Sequence, residues 1–369
     1  MKKLLITSDC FLPRWDGIAR FLADIIPELT KDFKVSVIAP EFPGTHKKVR
    51  GVKYHRFPLS KAQYGDIQFS QFNYRKVREI VAEHDIIFNQ TIGPLGMSAI
   101  RAANKQEIPV VHYIHSIDWE LASKGVKRFR KIVHLTIKRL VRYFHNKCTL
   151  LLVPSRAVED KIVQNNVKTP RLLLPMGIDT KKFKPSKNKA KSKERIGIPR
   201  DKFVIGFVGR IGREKDLPTL YKAYRTFTSP GHTYRLLIVG GGLQDEVPDD
   251  QDVILKGSQD DVTPYLQAMD VFVLPSLTET SSLATMEAMA TALPVIVTPV
   301  GNIPEYVDDD YNGILFPRQD AQALAEKLRR VVMDSELRER LGKAARNTIV
   351  KRHSWRVTVK RLRKVLLEI

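Results

Sequence analysis

Glu279 and Glu287 lie with seven residues between them in the stretch Val271–Ala290, where an apolar run ends at Pro275, a polar loop follows and a helix opens near Leu283. A loop carboxylate beside a helix N-terminus can accept hydrogen bonds from sugar hydroxyls, and the free N–H groups and positive dipole end next to it favour a phosphate. A carboxylate one turn into the helix can hold a second diol, such as a ribose. Two glutamates in this pattern would serve equally well as a cap and a surface side chain. A second constellation follows the apolar run Phe203–Val208: Gly209, Arg210, Gly212 and Lys215 precede another helix. The glycines permit tight turns and close backbone approach, and Arg210 and Lys215 bring two cations to the end of a strand. By itself such a turn is as often a structural strand-to-helix connection. No His/Asp cluster at metal-ligand spacing accompanies it, so a diphosphate held here would be neutralised by side chains, with neither metal nor further cofactor required.

The elements that must position these residues read as two successive α/β patterns. Leu4–Thr7, Val35–Ala39, Ile86–Phe88, Val110–Ile114 and Leu150–Val153 are buried-strand runs, with helical stretches near Ala19–Leu29, Asn73–Glu83, Leu95–Asn104 and Val126–Phe144. The pattern restarts with strands Phe203–Val208, Leu236–Val239, Val271–Leu274 and Val295–Thr298 and helices Leu217–Phe227, Thr263–Ala268 and Leu283–Thr291. Three further helices cover Ala321–Val332, Glu336–Val350 and Trp355–Leu367. Apolar runs alternating with helices predict parallel sheets covered on both faces, and hence two doubly wound units facing a cleft. Between them Lys181–Lys193, rich in Lys, Ser and Asn, has the composition of a solvated linker.

A length of 369 residues suits two domains, and a composition 43% hydrophobic and 28% charged excludes disorder, collagen and coiled coil for the whole chain. Cys10 and Cys148 are the only cysteines, too few for a disulfide framework or a cysteine zinc site, which suits a reducing compartment. The apolar stretch before Asp9 is too short for a signal peptide, and no window approaches the ~18 uninterrupted apolar residues of a spanning helix. The chain carries 62 Lys+Arg against 40 Asp+Glu, a net +22 that falls wholly in residues 1–200, while residues 201–369 sum to zero.

In order along the chain, Asp9-Cys-Phe-Leu-Pro13 with Gly17, Val111–His115, Val153–Ser155, Leu174–Asp179 with Phe183 and Pro185, Gly209-Arg210 with Lys215, Val239–Gly241, Glu279–Glu287, Pro294 with Pro299–Gly301, and Glu305 with Asn312-Gly313 form an ordered set. With this set the sequence resembles the family 4 retaining glycosyltransferases of the GT-B fold. The resemblance implies an α/β chain of two Rossmann-like domains: an acceptor-binding domain over 1–185, a basic linker over 186–200 and a nucleotide-sugar domain over 201–352. It implies too that a C-terminal helix over 353–369 packs back on the first domain. It further implies that Glu279 contacts the donor sugar and Glu287 the ribose, that Arg210 and Lys215 hold the diphosphate and stabilise it as it leaves, and that His115 lies near the transferred sugar. Gly17, Gly209, Thr280, Ser281, Ser282 and Leu283 complete the expected donor-binding set. His112, two residues before His115, reads better as a structural histidine. The expected donor is a GDP- or UDP-hexose, with the departing phosphate helping to deprotonate the acceptor and no protein general base.

Three positions depart from the family pattern. Thr280 and Ser281 stand where a glycine and an apolar residue usually follow the first glutamate, Asp16-Gly17 replaces a glycine pair, and Met176 replaces an asparagine.

Val126, Phe129, Val133, Ile137, Leu140 and Phe144 recur at three- and four-residue spacing and form one apolar stripe. No acidic residue occurs between Glu120 and Glu159, where Lys124, Lys127, Arg128, Arg130, Lys131 and Lys138 concentrate positive charge. Such a helix either packs its stripe on the sheet and leaves a solvated basic side, or meets an anionic surface, each Lys or Arg near anionic lipid contributing about 1 kcal/mol. The expected acceptor is accordingly a lipid or lipid-linked glycan at the cytoplasmic face of a membrane, with the chain peripheral on it. A soluble enzyme acting on a sugar phosphate or glucan is the alternative. Nucleic acid is the competing partner for so basic a chain, yet the basic stretch carries no nucleic-acid-binding module.

Overall fold

Short runs of Val, Ile and Leu flanked by polar turns set the two sheets, because such strands can be buried on both faces only in a parallel sheet sandwiched by helices. The structure is a computed structural model and describes residues 1–14, 16–46, 48–64, 67–120, 130–227, 233–279 and 281–369. The chain divides into two units, Met1–Pro175 with Val359–Ile369, and Met176–Thr358.

The first unit holds a seven-stranded sheet in the order β3-β2-β1-β6-β7-β8-β9, every neighbouring pair parallel. Its strands are β1 (Lys3–Thr7), β2 (Lys34–Pro40), β3 (Lys53–Phe57), β6 (Ile86–Asn89), β7 (Val110–Tyr113), β8 (Leu150–Val153) and β9 (Arg171–Leu173), and β4 (Leu59–Tyr64) pairs antiparallel with β5 (Ile67–Ser70) as a separate hairpin. Helices α1 (Gly17–Leu29), α2 (Tyr74–Val81), α3 (Pro94–Lys105), α4 (Arg130–His145) and α5 (Arg156–Gln164) alternate with them. The order reverses between β1 and β6, so the loops at the carboxyl ends of those strands frame the switch point where such sheets bind ligands.

The second unit repeats the plan in the order β12-β11-β10-β13-β14-β15. After α6 (Lys189–Arg195) come β10 (Phe203–Val208), α7 (Leu217–Phe227), β11 (Tyr234–Val239), β12 (Val253–Leu255), α8 (Thr263–Ala268), β13 (Val271–Leu274), α9 (Leu283–Ala290), β14 (Val295–Val297) and β15 (Ile314–Leu315). Then follow α10 (Ala321–Met333), α11 (Ser335–Arg352) and α12 (Trp355–Glu368). Here the switch point lies between β10 and β13, whose carboxyl ends carry Gly209–Lys215 and Pro275–Glu279.

The basic segment between the patterns is not a solvated linker. Asn188 Oδ1 accepts the Lys191 N–H at 3.0 Å and caps α6, and Lys193 is only 7% exposed. Its ammonium lies 2.7 Å from Asp270 Oδ2 and donates to the Lys202 carbonyl at 2.6 Å. Lysine stems can bury their methylenes when the charged head finds a partner, and composition alone does not reveal that partner. The chain passes between units at Pro175 and again at Thr358, and in the first unit Arg363 forks onto Asp32 with contacts of 2.5 and 2.8 Å. Charge divides accordingly: +18 on the first unit and +4 on the second, so the second unit is not neutral. Among the described residues no helix is long and apolar enough to cross a membrane.

Candidate functional site

At the switch point of the second unit, β10 ends in a turn whose 3-10 segment Arg213–Lys215 presents Lys215 to the loop after β13. Lys215 Nζ donates to Glu279 Oε1 at 2.5 Å, and both side chains are largely enclosed, 16% and 10% exposed. Ser276 Oγ donates to the same oxygen at 2.7 Å, so both contacts converge on one oxygen of the carboxylate. Ser276 is itself buried and its carbonyl accepts the Thr298 hydroxyl at 2.6 Å, which ties the loop to the end of β14. The Leu277 N–H donates to the Glu214 carbonyl at 2.8 Å and joins the two loops directly. Arg210 is 70% exposed and pairs with Glu214 at 2.5 Å. The structure brings Lys215 and Glu279 into contact, as the sequence suggested, and adds Ser276, three residues before Glu279, and Glu214, four residues after Arg210, whose backbone carbonyl also joins the two loops; neither stood out because a serine and a glutamate in polar loops carry no signal of their own.

The segment after Glu279 leads into α9. Ser282 is its N-cap, with Oγ accepting the Thr285 N–H at 3.3 Å, so this hydroxyl is already engaged by the helix it opens. Leu283 begins the helix, and Ser281 Oγ accepts from Asn302 Nδ2 at 3.3 Å. Thr280 lies outside the described residues. Glu287 is 2% exposed, in a helix buried from Thr285 to Ala290, and is therefore no surface side chain. Gly301, φ +60°, packs against the Glu279 backbone so closely that an added Cβ would lie 2.2 Å from the Glu279 carbonyl oxygen. The position of Glu279 thus depends on a glycine from a different loop.

In the first unit, Asp9 at the end of β1 accepts the Leu95 and Gly96 N–H groups and the Thr91 hydroxyl, so it binds the switch-point loop to the N-terminus of α3. Asp16, in the place of a family glycine, caps α1 by accepting the Ile18 and Ala19 N–H groups at 3.0 and 2.8 Å. A carboxylate therefore already answers the α1 dipole. Next to it Gly17 has open space within 4 Å of where a Cβ would stand. His115 lies just past β7, with Nε2 2.9 Å from Gln90 Oε1 and its ring 4.7 Å from Tyr113 and 5.3 Å from Phe21. Burial, then the neighbouring His112, pushes its pKa down to about 3, so the ring is neutral. His112 is 2% exposed, accepts from Asn89 Nδ2 at 2.8 Å and is pushed by burial to about 4. Asp118, three residues beyond His115, is raised by burial to about 6 and accepts the Ser116 hydroxyl at 3.0 Å. Among the described residues no group of three His, Cys, Asp or Glu side chains is arranged to hold a metal ion.

The basic helix keeps the expected stripe only in part. Lys124, Lys127 and Arg128 lie outside the described residues, as do Val126 and Phe129 of the apolar stripe, and Arg130 is the first residue of α4. Val141 is buried and Ile137 and Phe144 pack on the core, but Leu140 is 37% exposed. The helix is turned so that Ile132, Leu135 and Tyr143, at 61, 54 and 58% exposure, point outward among Lys131, Arg139 and a half-buried Lys138. The outer face is thus apolar and basic together, which the stripe alone did not indicate.

Comparison with known proteins accounts for this pair of units. Residues 15–182 match the family described as Glycosyltransferase Family 4, and residues 188–348 match Glycosyl transferases group 1. The chain is 31% identical to the Escherichia coli UDP-Gal:alpha-D-GlcNAc-diphosphoundecaprenol alpha-1,3-galactosyltransferase, over 73% of this chain and 71% of that protein. It is 26% identical to the alpha-monoglucosyldiacylglycerol synthase of Acholeplasma laidlawii, over 85% of each. Anabaena HepE, crystallised with UDP-glucose, shares the fold over the whole of both chains, with a TM-score of 0.80 and 18% identity. Two parallel Rossmann-like sheets, two consecutive glycosyltransferase domains and a relative of this similarity identify the chain as a member of the GT-B glycosyltransferases and a hexosyltransferase.

Proposed function

We propose that the chain transfers a hexose, with retention of anomeric configuration, from a nucleoside-diphosphate sugar to a hydroxyl of a lipid or lipid-linked glycan at the cytoplasmic face of a membrane. The observation that carries the donor side is the enclosed Lys215–Glu279 pair at the β10/β13 switch point, beside Arg210 and the start of α9. Glu279 Oε2 accepts from a sugar hydroxyl, while Lys215 and Arg210 take the diphosphate charge, with neither metal nor cofactor in that role. Glu287 on the ribose, and His115 and Gly17 in handling the transferred sugar and acceptor, are roles carried over from the family. As the anomeric C–O bond to the diphosphate breaks, positive charge grows on the sugar and negative charge on the leaving phosphate; preorganised cations stabilise the latter. The acceptor oxygen forms the new bond on the same face, and its proton leaves with the phosphate.

The acceptor assignment is supported by the outward Ile132, Leu135 and Tyr143 among basic residues on α4, by the +18 charge of that unit and by a relative named for diacylglycerol glucosylation. An amphipathic helix of this kind lies in the headgroup region through apolar burial plus attraction to anionic lipid. The test is a thermal-shift screen with UDP, GDP and their hexose conjugates, followed by transfer to diacylglycerol and polyprenyl acceptors. A true donor at 100 times its Kd should add about 2.7 kcal/mol of stability. If no nucleoside diphosphate stabilises the protein, the donor reading fails; if a donor binds but only water-soluble acceptors are used, the lipid reading fails.

A further inference from the structure

The two cations assigned to the diphosphate differ in their surroundings. Lys215 is held in an enclosed pair with Glu279, whereas Arg210 stands 70% exposed against a Glu214 carboxylate that is 32% exposed. That carboxylate is not a loose surface partner. A Cβ added at Gly212 would lie 2.6 and 2.8 Å from its two oxygens, so it rests on the bare backbone of the glycine turn. The Leu277 N–H donating to the Glu214 carbonyl at 2.8 Å fixes the residue beside the Glu279 loop. A planar anion thus sits on a glycine turn and on the arginine, both features that suit a phosphate.

We propose that Glu214 is an internal competitor for the donor diphosphate, occupying Arg210 until a nucleotide displaces it and returning to Arg210 as the nucleoside diphosphate leaves. The inference rests on the donor reading above. An exposed ion pair is weak and exchanges readily, while an enclosed pair resists disruption, so the incoming diphosphate exchanges the Arg210 partner and leaves Lys215–Glu279 in place. Affinity for the diphosphate is lowered by the fraction of time Arg210 is occupied, and product release is favoured by the same contact. No covalent step is involved.

The test is calorimetric titration of UDP and GDP into the full chain and into Glu214→Gln, a near-isosteric change that keeps the turn filled. The expected result is about twofold to fivefold tighter binding for the variant, the factor corresponding to removal of one exposed ion pair. Stronger inhibition of transfer by the nucleoside diphosphate product should accompany it. In an Arg210→Gln background the same substitution should leave affinity unchanged, and Glu214→Ala, which removes the carboxylate by a different change of shape, should reproduce the tightening. Weaker or equal binding by Glu214→Gln would make Glu214 an orienting residue for Arg210 and overturn the proposal, as would a full-sized effect without Arg210. If neither nucleotide binds the unsubstituted chain, the donor reading and this inference fall together; if one binds and Glu214→Gln does not tighten it, the inference alone falls.

Discussion

Gly301→Ala should damage this enzyme more than its small size suggests, and the structure says by how much. The new Cβ would stand 2.2 Å from the Glu279 carbonyl oxygen, 2.7 Å from its carbon and 3.2 Å from its Cβ. An ordinary C···O approach is about 3.3 Å, so roughly 1 Å must be made up, and the obstacle is backbone that cannot swing aside as a side-chain tip would. Overpacking of this kind costs about 1–3 kcal/mol, and a left-handed φ adds about 1–2 kcal/mol for any residue with a Cβ. The matched control is Gly257, whose φ of +61° is nearly that of Gly301 but where a Cβ would meet nothing within 4 Å. Gly257→Ala should therefore show only the backbone cost. Because the overlap falls on Glu279 itself, Gly301→Ala should also lower kcat/KM by roughly 100-fold, the loss that a misplacement of about 1 Å in a substrate-positioning group can cause. Urea unfolding and initial transfer rates on both variants supply the comparison. Matching stabilities and rates for the two alanines would refute the claim that Gly301 sets the position of Glu279.

Other consequences are equally direct. Glu279→Gln keeps the size of the side chain but removes the charge facing Lys215; it should lower the melting temperature, because an enclosed ammonium loses its counter-charge, and should cut turnover of the folded protein by about 100-fold or more; near-normal rates would remove Glu279 from the site. Burial holds His112 down to about 4 and His145 well below its ordinary range, and the rings lie 5.1 Å apart. With folded values depressed, the stability carried by the neutral rings is complete above about pH 6.5 and declines below it; for His112 it is lost as pH falls through about 4, on the order of 3 kcal/mol. A urea midpoint that does not fall between pH 7 and pH 4, or that falls equally in His145→Phe, would contradict this. Sedimentation with anionic vesicles should weaken in Leu135→Glu and survive moderate salt better than purely electrostatic binding, since Ile132, Leu135 and Tyr143 add apolar burial. Salt-sensitive binding indifferent to Leu135 would instead point to the basic residues alone.

The long apolar strands were readable because a strand buried on both faces needs an unbroken β-branched or aliphatic run, and Phe203–Val208, Leu150–Val153 and Val271–Leu274 have one. Edge and short strands were not: β3 reads Lys-Tyr-His-Arg-Phe and β15 has two residues, so their pairing is set by the neighbouring strand. Helix α6 was hidden for a related reason. Its composition is that of a solvated loop, and only the fixed position of Asp270 makes burial of Lys193 tolerable.

What the sequence determined by itself was the pair of doubly wound units and the placing of Arg210, Lys215 and Glu279 in loops after apolar strands, because periodicity, glycine turns and residue order are local properties of the chain. Which contacts those residues make was settled only in three dimensions. Lys215 is 64 residues from Glu279, and the loop of Gly301 reaches the Glu279 backbone only because β13 and β14 are neighbours in the sheet. The outward turn of Ile132, Leu135 and Tyr143 on α4 was likewise fixed by which of its residues the core could accept. Spacing along a helix gives faces, and only packing decides which face is covered.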